Sequence, residues 1–326
     1  MQGKLNCFYE DKPGAKWQQV FANSWPFYHD WFLIEGIAAR PGYLTSSGEL
    51  ARFMPELMPI YHQLCTLAGG GDLTARYLSM YCPPPYLAAC SQLAWVAHEP
   101  ILIRNYDYNP DLFEGALMKT NWLQPVVGMS DCNWGLLDGV NASGLSISLA
   151  FGGKQSRGVG FGIPIIIRYL LETCHSVAQA CEKLKYLPVH MAYNITMVDK
   201  YKDYSTVYVG PNQVVQITKD KAATNHQHVV EWENYALMTS SVERIDTLIS
   251  CMNAPRQSED KLLKAFRTPP LHVYKPENSF LTLYTSFYRP TYSSLQLFWG
   301  GHVLQQSIGH FTEHVYSKKH TVRFWK

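Results

Sequence analysis

The chain has 326 residues, 47% hydrophobic and 17% charged, with a formal net charge of +2. That composition supports one large, deeply buried domain, and the near-neutral balance without any lysine–arginine run excludes the electrostatic footprint of a nucleic-acid binder. The longest apolar runs, such as 163–167, are far too short to cross a bilayer, and residues 1–11 lack the apolar stretch of an export signal, so a cytoplasmic protein without membrane association is expected.

From residue 25 to 81 apolar residues recur at helical intervals. A helix is expected over 48–68, with Pro55 and Pro59 marking its start or a bend and Gly69-Gly70-Gly71 ending it. Residues 1–89 therefore read as a helical leader, and 90–326 as the catalytic part. Cys82-Pro83-Pro84-Pro85-Tyr86 imposes an extended approach to residue 90, because proline fixes its own φ and restricts the residue before it. Beyond residue 90 short β-branched and aromatic runs take over, at 93–97, 101–106, 145–150, 192–198, 206–209 and 214–217. Helices are expected over 164–173 and 177–187, the second capped by Ser176, and further strands over 281–288 and 295–299. Strands, then paired helices, then more strands make an α+β layered fold.

The chemistry centres on Cys90. A thiol with an ordinary pKa of about 8.5 needs a base or a positive charge to react at neutral pH. Cleavage between Ala89 and Cys90 would supply the base, because the new α-amine, with a pKa of about 7.7–8.0, sits on the same residue as the sulfur. In the run Arg104-Asn105-Tyr106-Asp107, Arg104 would hold the thiolate and Asp107 would orient the amine, two strands and a tight turn bringing them beside Cys90. Singly, each residue has a plainer reading: a buried small hydrophobe for Cys90, a surface ion pair for Arg104 and Asp107, a turn residue for Asn225, and for Arg244 a helix capped by Ser241.

Together, Cys90, Arg104-Asn105-Tyr106-Asp107, Gly139-Val140-Asn141-Ala142-Ser143-Gly144-Leu145, Thr224-Asn225 and Ser241-Val242-Glu243-Arg244 resemble the cysteine branch of the amino-terminal nucleophile (Ntn) hydrolases. The nearest group by this resemblance is the acyl-coenzyme A:6-aminopenicillanic acid acyltransferase-like proteins, with choloylglycine hydrolases more distant. The resemblance implies a four-layer αββα sandwich in which the nucleophile begins an inner strand. It implies autocatalytic activation of a zymogen-like precursor at Ala89–Cys90, with the two fragments staying associated. By the same resemblance Cys90 is the nucleophile, Arg104 and Asp107 its polar partners, Asn225 an oxyanion donor, Asn141 a second asparagine near the tetrahedral intermediate, and Arg244 an arginine that orders the site. The chain departs from the group at Ala89, where glycine is usual, and at Ser91, where threonine is common.

The function expected is that of an acyltransferase or amidohydrolase on a linear, non-peptide amide or acyl thioester, working through a Cys90 thioester. The rivals are an uncleaved binding or structural protein, and a bile-acid or acyl-homoserine-lactone type of hydrolase. Tyr86, Trp134 and Phe151 are candidates to line an acyl pocket, although core packing serves equally for such residues. The Cys174-His175 with Cys181 set and the His226 with His228 set lack the paired clusters of a structural zinc site, so no metal is expected. No cofactor is required beyond coenzyme A thioester as an acyl donor, for which the glycine-rich loop 158–162 is a weak phosphate candidate and more simply a turn. The eight cysteines show no paired spacing and are read as reduced thiols. A small-molecule acyl substrate is the expected partner, and a homo-oligomer is compatible with the chain.

Overall fold

The computed structural model describes residues 3–275 and 280–319; Met1, Gln2 and residues 320–326, counted above in the leader and the catalytic part, lie outside them. Two sheets pack face to face. The larger is built from β1 (Lys4–Glu10), β4 (Ala116–Asn121), β5 (Pro125–Asp131), β6 (Gly135–Asn141), β7 (Leu145–Phe151), β8 (Tyr193–Asp199), β9 (Tyr204–Val209), β10 (Gln216–Thr218) and β16 (His314–Ser317). Its strand order is β10-β9-β8-β7-β6-β5-β4-β1-β16. The smaller sheet contains β2 (Ala89–Val96), β3 (Pro100–Tyr108), β11 (Ala222–Ala223), β13 (Phe280–Arg289), β14 (Ser294–Trp299) and β15 (His302–Ser307) in the order β11-β2-β3-β13-β14-β15, with β12 (Tyr274–Lys275) beside β13.

Helices cover both outer faces. On the large sheet α5 (Ile163–Thr173) lies over β5–β7 and α6 (Val177–Leu184) over β8 and β9, while α8 (Ser241–Asn253) and α9 (Glu259–Phe266) pack on β2 and β3 of the small sheet. This is the expected four-layer αββα sandwich. The two-residue period of β2 and β3 divides their side chains between layers. Cys90, Ala94, Leu102 and Tyr106 face the large sheet, whereas Leu93, Ile101 and Ile103 join Leu248, Leu262 and Phe266 beneath α8 and α9. On the opposite side, Gly135 and Gly139 let α5 lie directly on β6. A Cβ at Gly135 would fall 2.4 Å from Pro164 Cβ, and one at Gly139 2.9 Å from a Leu171 methyl.

The leader is mostly helical, with α1 (Ala15–Phe32), α2 (Tyr43–Phe53), α3 (Met58–Leu67) and α4 (Asp72–Leu78). The helix expected over 48–68 is in fact α2 and α3, divided by a 3-10 turn that Pro55 opens, with Pro59 in the first turn of α3. Gly69 and Gly70 end α3 at positive φ, as expected. The leader is not purely helical, however. Its first element, β1, enters the large sheet parallel to β4 and antiparallel to β16, burying Leu5, Cys7 and Phe8.

The 158–162 loop, two bends followed by a bridge at Phe161, fastens the segment that leads to Cys90. Three of its backbone N–H groups are committed, Gly158 to the His190 carbonyl (2.9 Å), Phe161 to that of Pro188 (2.9 Å) and Gly162 to that of Met80 (2.8 Å), while the Cys82 N–H donates to the Gly160 carbonyl (2.8 Å). All eight cysteines are free, and among the described residues no helix is long and apolar enough to cross a membrane.

Candidate active site

The β2–β3 hairpin pairs Ala89 with Asp107, Cys90 with Tyr106 and Gln92 with Arg104. Side chains at paired positions share a face, so Arg104 stands one pair along from Cys90 on the inner side. Its Nη2 donates to Cys90 Sγ at 3.1 Å. The guanidinium is fully buried and held from behind: Nη1 donates to Asp138 Oδ2 (2.5 Å) and the Tyr284 hydroxyl (2.7 Å), and Nε to the Leu149 carbonyl (3.0 Å). Asp138 also accepts from the hydroxyls of Tyr284 (2.6 Å) and Tyr288, and Arg104 lies over the Tyr106 ring.

A second arginine manages the main chain. The Cys90 N–H donates to Asn225 Oδ1 (2.9 Å), and the Cys90 carbonyl accepts from Arg244 Nη1 (2.6 Å). Arg244 also donates to Asn225 Oδ1 (2.6 Å), Ser91 Oγ (2.9 Å) and the Thr239 carbonyl (2.8 Å), and its Nη1 lies 3.4 Å from Asp107 Oδ2. Asp107 Oδ1 accepts from Thr282 (2.6 Å). Asp107 thus bears on Cys90 through Arg244, and it is Asn225 that meets the nitrogen for which Asp107 was the expected partner. Asn225 lies two residues past the end of β11, and its own N–H donates to Ser241 Oγ (2.8 Å) at the start of α8. Ser241 therefore serves Asn225, while Ser240 occupies the position before the helix. The Asn225 side-chain NH2 donates to the carbonyls of Ala88 and Phe151, each at 3.1 Å.

Burial pushes the Cys90 thiol up to about 11 against the pull of the Arg104 charge, so in the uncut chain the sulfur is protonated at neutral pH. Burial also pushes Asp107 up to about 6, opposed chiefly by Arg244. Cys90 itself is 0% exposed.

Three expected residues stand differently. Asn141 lies three residues along β6 from Asp138 and so on the opposite face; its NH2 donates to the Leu171 (2.9 Å) and Cys174 (2.7 Å) carbonyls and its Oδ1 accepts from the Leu145 N–H (3.0 Å). It ties the end of α5 to the β6–β7 turn rather than joining the groups around Cys90. Trp134 is a core residue, fully buried with its indole N–H on the Leu78 carbonyl. Phe151 contributes its carbonyl to Asn225, while its ring packs edge-on against Tyr193, Trp232 and Tyr235. Tyr86 does line a cavity, described below. Asp138, Tyr284 and Thr282 are not among the residues that the sequence motifs single out. A lone carboxylate inside the apolar run Gly135-Leu136-Leu137-Asp138 was the available signal, since a buried charge implies a buried partner.

The chain matches the model of the family described as acyl-coenzyme A:6-aminopenicillanic acid acyl-transferase over residues 96–303, more than half its length and including Arg104, Asp107, Asn225 and Arg244. Among solved structures it is similar to penicillin V acylase from Agrobacterium tumefaciens, with 14% identity, 68% of this chain and 86% of that one covered, and a TM-score of 0.51. A conjugated bile acid hydrolase from Clostridium perfringens covers 73% of this chain and 99% of its own at 11% identity and a TM-score of 0.49. The Caenorhabditis elegans ortholog of N-acylethanolamine-hydrolyzing acid amidase covers 70% and 99% at 14% identity, also with a TM-score of 0.49. Against curated protein sequences the chain finds no match. With the αββα sandwich in place and Cys90 opening an inner strand beside Arg104, the chain belongs to the acyl-coenzyme A:6-aminopenicillanic acid acyltransferase family of Ntn-hydrolase-fold enzymes.

Proposed function

We propose that the chain cuts itself before Cys90 and then acts as a cysteine amidohydrolase or acyltransferase on a linear, non-peptide amide or acyl thioester. One observation carries the reading: Arg104 is bound to the sulfur of Cys90 while Asn225 and Arg244 are bound to its nitrogen and carbonyl oxygen. In processing, Sγ adds to the Ala89 carbonyl carbon, the C–N bond breaks and the Cys90 nitrogen takes a proton. Water then hydrolyses the Ala89 thioester, leaving a carboxylate at Ala89 and a free thiol and α-amine on Cys90. The Ala89 methyl crowds this step relative to the glycine usual there.

In turnover the α-amine accepts the thiol proton, the thiolate attacks the substrate carbonyl, and the proton passes to the leaving amine or thiol. The Asn225 amide, relieved of the Ala88 carbonyl, donates to the oxyanion. Water or an amine then takes the acyl group from sulfur. No cofactor is needed; a coenzyme A thioester would be a substrate. The burial of β1 between β4 and β16 supports a leader that stays bound after cleavage, and eight unpaired thiols suit the cytoplasm.

The test is turnover by the purified protein with a panel of N-acyl amides, bile-salt conjugates, acyl-homoserine lactones and acyl thioesters, with and without amine acceptors. Amine or thiol release that vanishes in Cys90→Ala is expected. A chain that stays uncut and turns over no member of the panel would instead favour a binding or structural protein.

A further inference from the structure

A cavity of about 490 Å³ opens under the leader, walled by Phe27, Tyr28 and Trp31 of α1 and by Tyr86, Tyr108 and Asp131. Asp131 is 5% exposed, and the cluster around it is short of protons. The Tyr28 hydroxyl lies 2.9 Å from Asp131 Oδ1 and 2.7 Å from Glu114 Oε2, yet it has one hydrogen to give. Asp131 Oδ2 and Glu114 Oε1 are buried without a well-formed hydrogen bond, although the Ser130 hydroxyl stands near enough to favour the Glu114 carboxylate and the Cys132 N–H that of Asp131. The Tyr86 hydroxyl is near enough to favour the Asp131 carboxylate, but its short hydrogen bond is to Tyr106. Among the described residues no lysine, arginine or histidine forms an ion pair with either carboxylate, in contrast to Asp138 and its Arg104, although the Arg104 charge still favours the Asp131 carboxylate from further off. Burial, and after it the Asp131 charge, pushes Glu114 up to about 7, so a proton on Glu114 relieves part of the repulsion between the two carboxyls.

Aromatic faces around a buried carboxylate with an unused oxygen form a receptor for an organic cation. The place is also informative. Tyr86 bridges the cavity to Tyr106, the strand partner of Cys90, and it belongs to the segment that cleavage would detach from Cys90. Release of that segment would join cavity and nucleophile.

We propose that this cavity receives an organic ammonium group of the substrate, a protonated amine or quaternary ammonium one tyrosine's reach from the scissile carbonyl, with Asp131 as counter-ion and Tyr28, Trp31 and Tyr108 as its aromatic walls. The proposal rests on the reading of Cys90 as nucleophile, but its test does not. The protein carrying Cys90→Ala, which removes processing and turnover, and Tyr86→Ala, which uncovers Asp131, is titrated by calorimetry with n-butylammonium and with the neutral 1-butanol. The ammonium is expected to bind at least tenfold more tightly than the alcohol. Adding Asp131→Asn should abolish that preference, and Trp31→Leu, which keeps an apolar wall, should reduce it, with circular dichroism checking that each variant folds. Equal binding of the two probes, or a preference that survives Asp131→Asn, would overturn the proposal while leaving the role of Cys90 to be decided by the turnover panel.

Discussion

Arg104 and Arg244 are both fully buried and both touch Cys90, yet they are held in opposite ways. Arg104 is matched to a carboxylate at 2.5 Å and offers its remaining edge to a sulfur atom. Arg244 has its carboxylate at 3.4 Å and is surrounded by neutral acceptors, namely two carbonyls, a serine hydroxyl and an amide oxygen. Arg104 is accordingly a charge device that favours the thiolate. Arg244 is an alignment device, fixing where the nitrogen and carbonyl of Cys90 lie.

The largest expected effect comes from breaking that contrast at Asp138. Asp138→Ala strands the buried Arg104 charge and should destabilise the protein by about 3–5 kcal/mol in urea denaturation. Asp107→Asn leaves Arg244 with its neutral acceptors and should cost clearly less. Equal losses would mean that the two arginines are not held differently.

The second expectation concerns rate. Asn225→Ala removes the side-chain donor aligned by Arg244 and should lower kcat of the processed enzyme by about 10²–10³-fold. Asn141→Ala, which disturbs only the end of α5, should lower thermal stability and leave kcat near that of the parent. A comparable fall in kcat would place Asn141 back among the catalytic groups.

Two buried carboxyls set a pH dependence of stability. Asp107 and Glu114 are raised to about 6 and about 7, whereas in the unfolded chain they ionise near 3.9 and 4.3. Between those values the folded state holds more protons than the unfolded, so their contribution to stability is full below about pH 4 and declines as pH rises to about 7. Glu114→Gln should flatten that decline in melting temperature between pH 5 and 8; an unchanged slope would show that Glu114 is not the group responsible. The processed enzyme's rate should rise between about pH 6 and 8 as the α-amine loses its proton. Ser176→Ala, far from both arginines, sets the lower bound: its hydroxyl caps α6 through the Gln179 N–H (3.3 Å), and its loss should cost about 1 kcal/mol with kcat unchanged.

The α+β layering was legible because strands such as β2, β3, β7 and β8 are strongly patterned, and the family resemblance sharpened it to the sandwich. The expectation of β2 and β3 as neighbours joined by a tight turn put Arg104 and Asp107 beside Cys90, where the structure has them. Strands β4 to β6 were missed for physical reasons. β4 carries Lys119 and Thr120 after a short apolar start, and β6 is broken by Gly135, Asp138 and Gly139, residues that weaken a strand pattern but are required by α5 and Arg104. β1 was hidden in a leader whose periodicity is otherwise helical. Spacing placed only Arg104 and Asp107 near Cys90, whereas Asn225, Asn141 and Arg244 entered through the family resemblance. What the sequence did not disclose was which face of a strand each residue takes, and that decides why Asp138 reaches Arg104 while Asn141, on the same strand, turns to α5.

If sulfur and base reside on one residue, the intact mass of the purified chain must reveal a cut before Cys90. Fragments 1–89 and 90–326 that copurify are expected, with Cys90→Ala remaining a single chain of 37.2 kDa. A parent protein that stays whole yet hydrolyses amides through Cys90, or one that is still cut in Cys90→Ala, would contradict that arrangement.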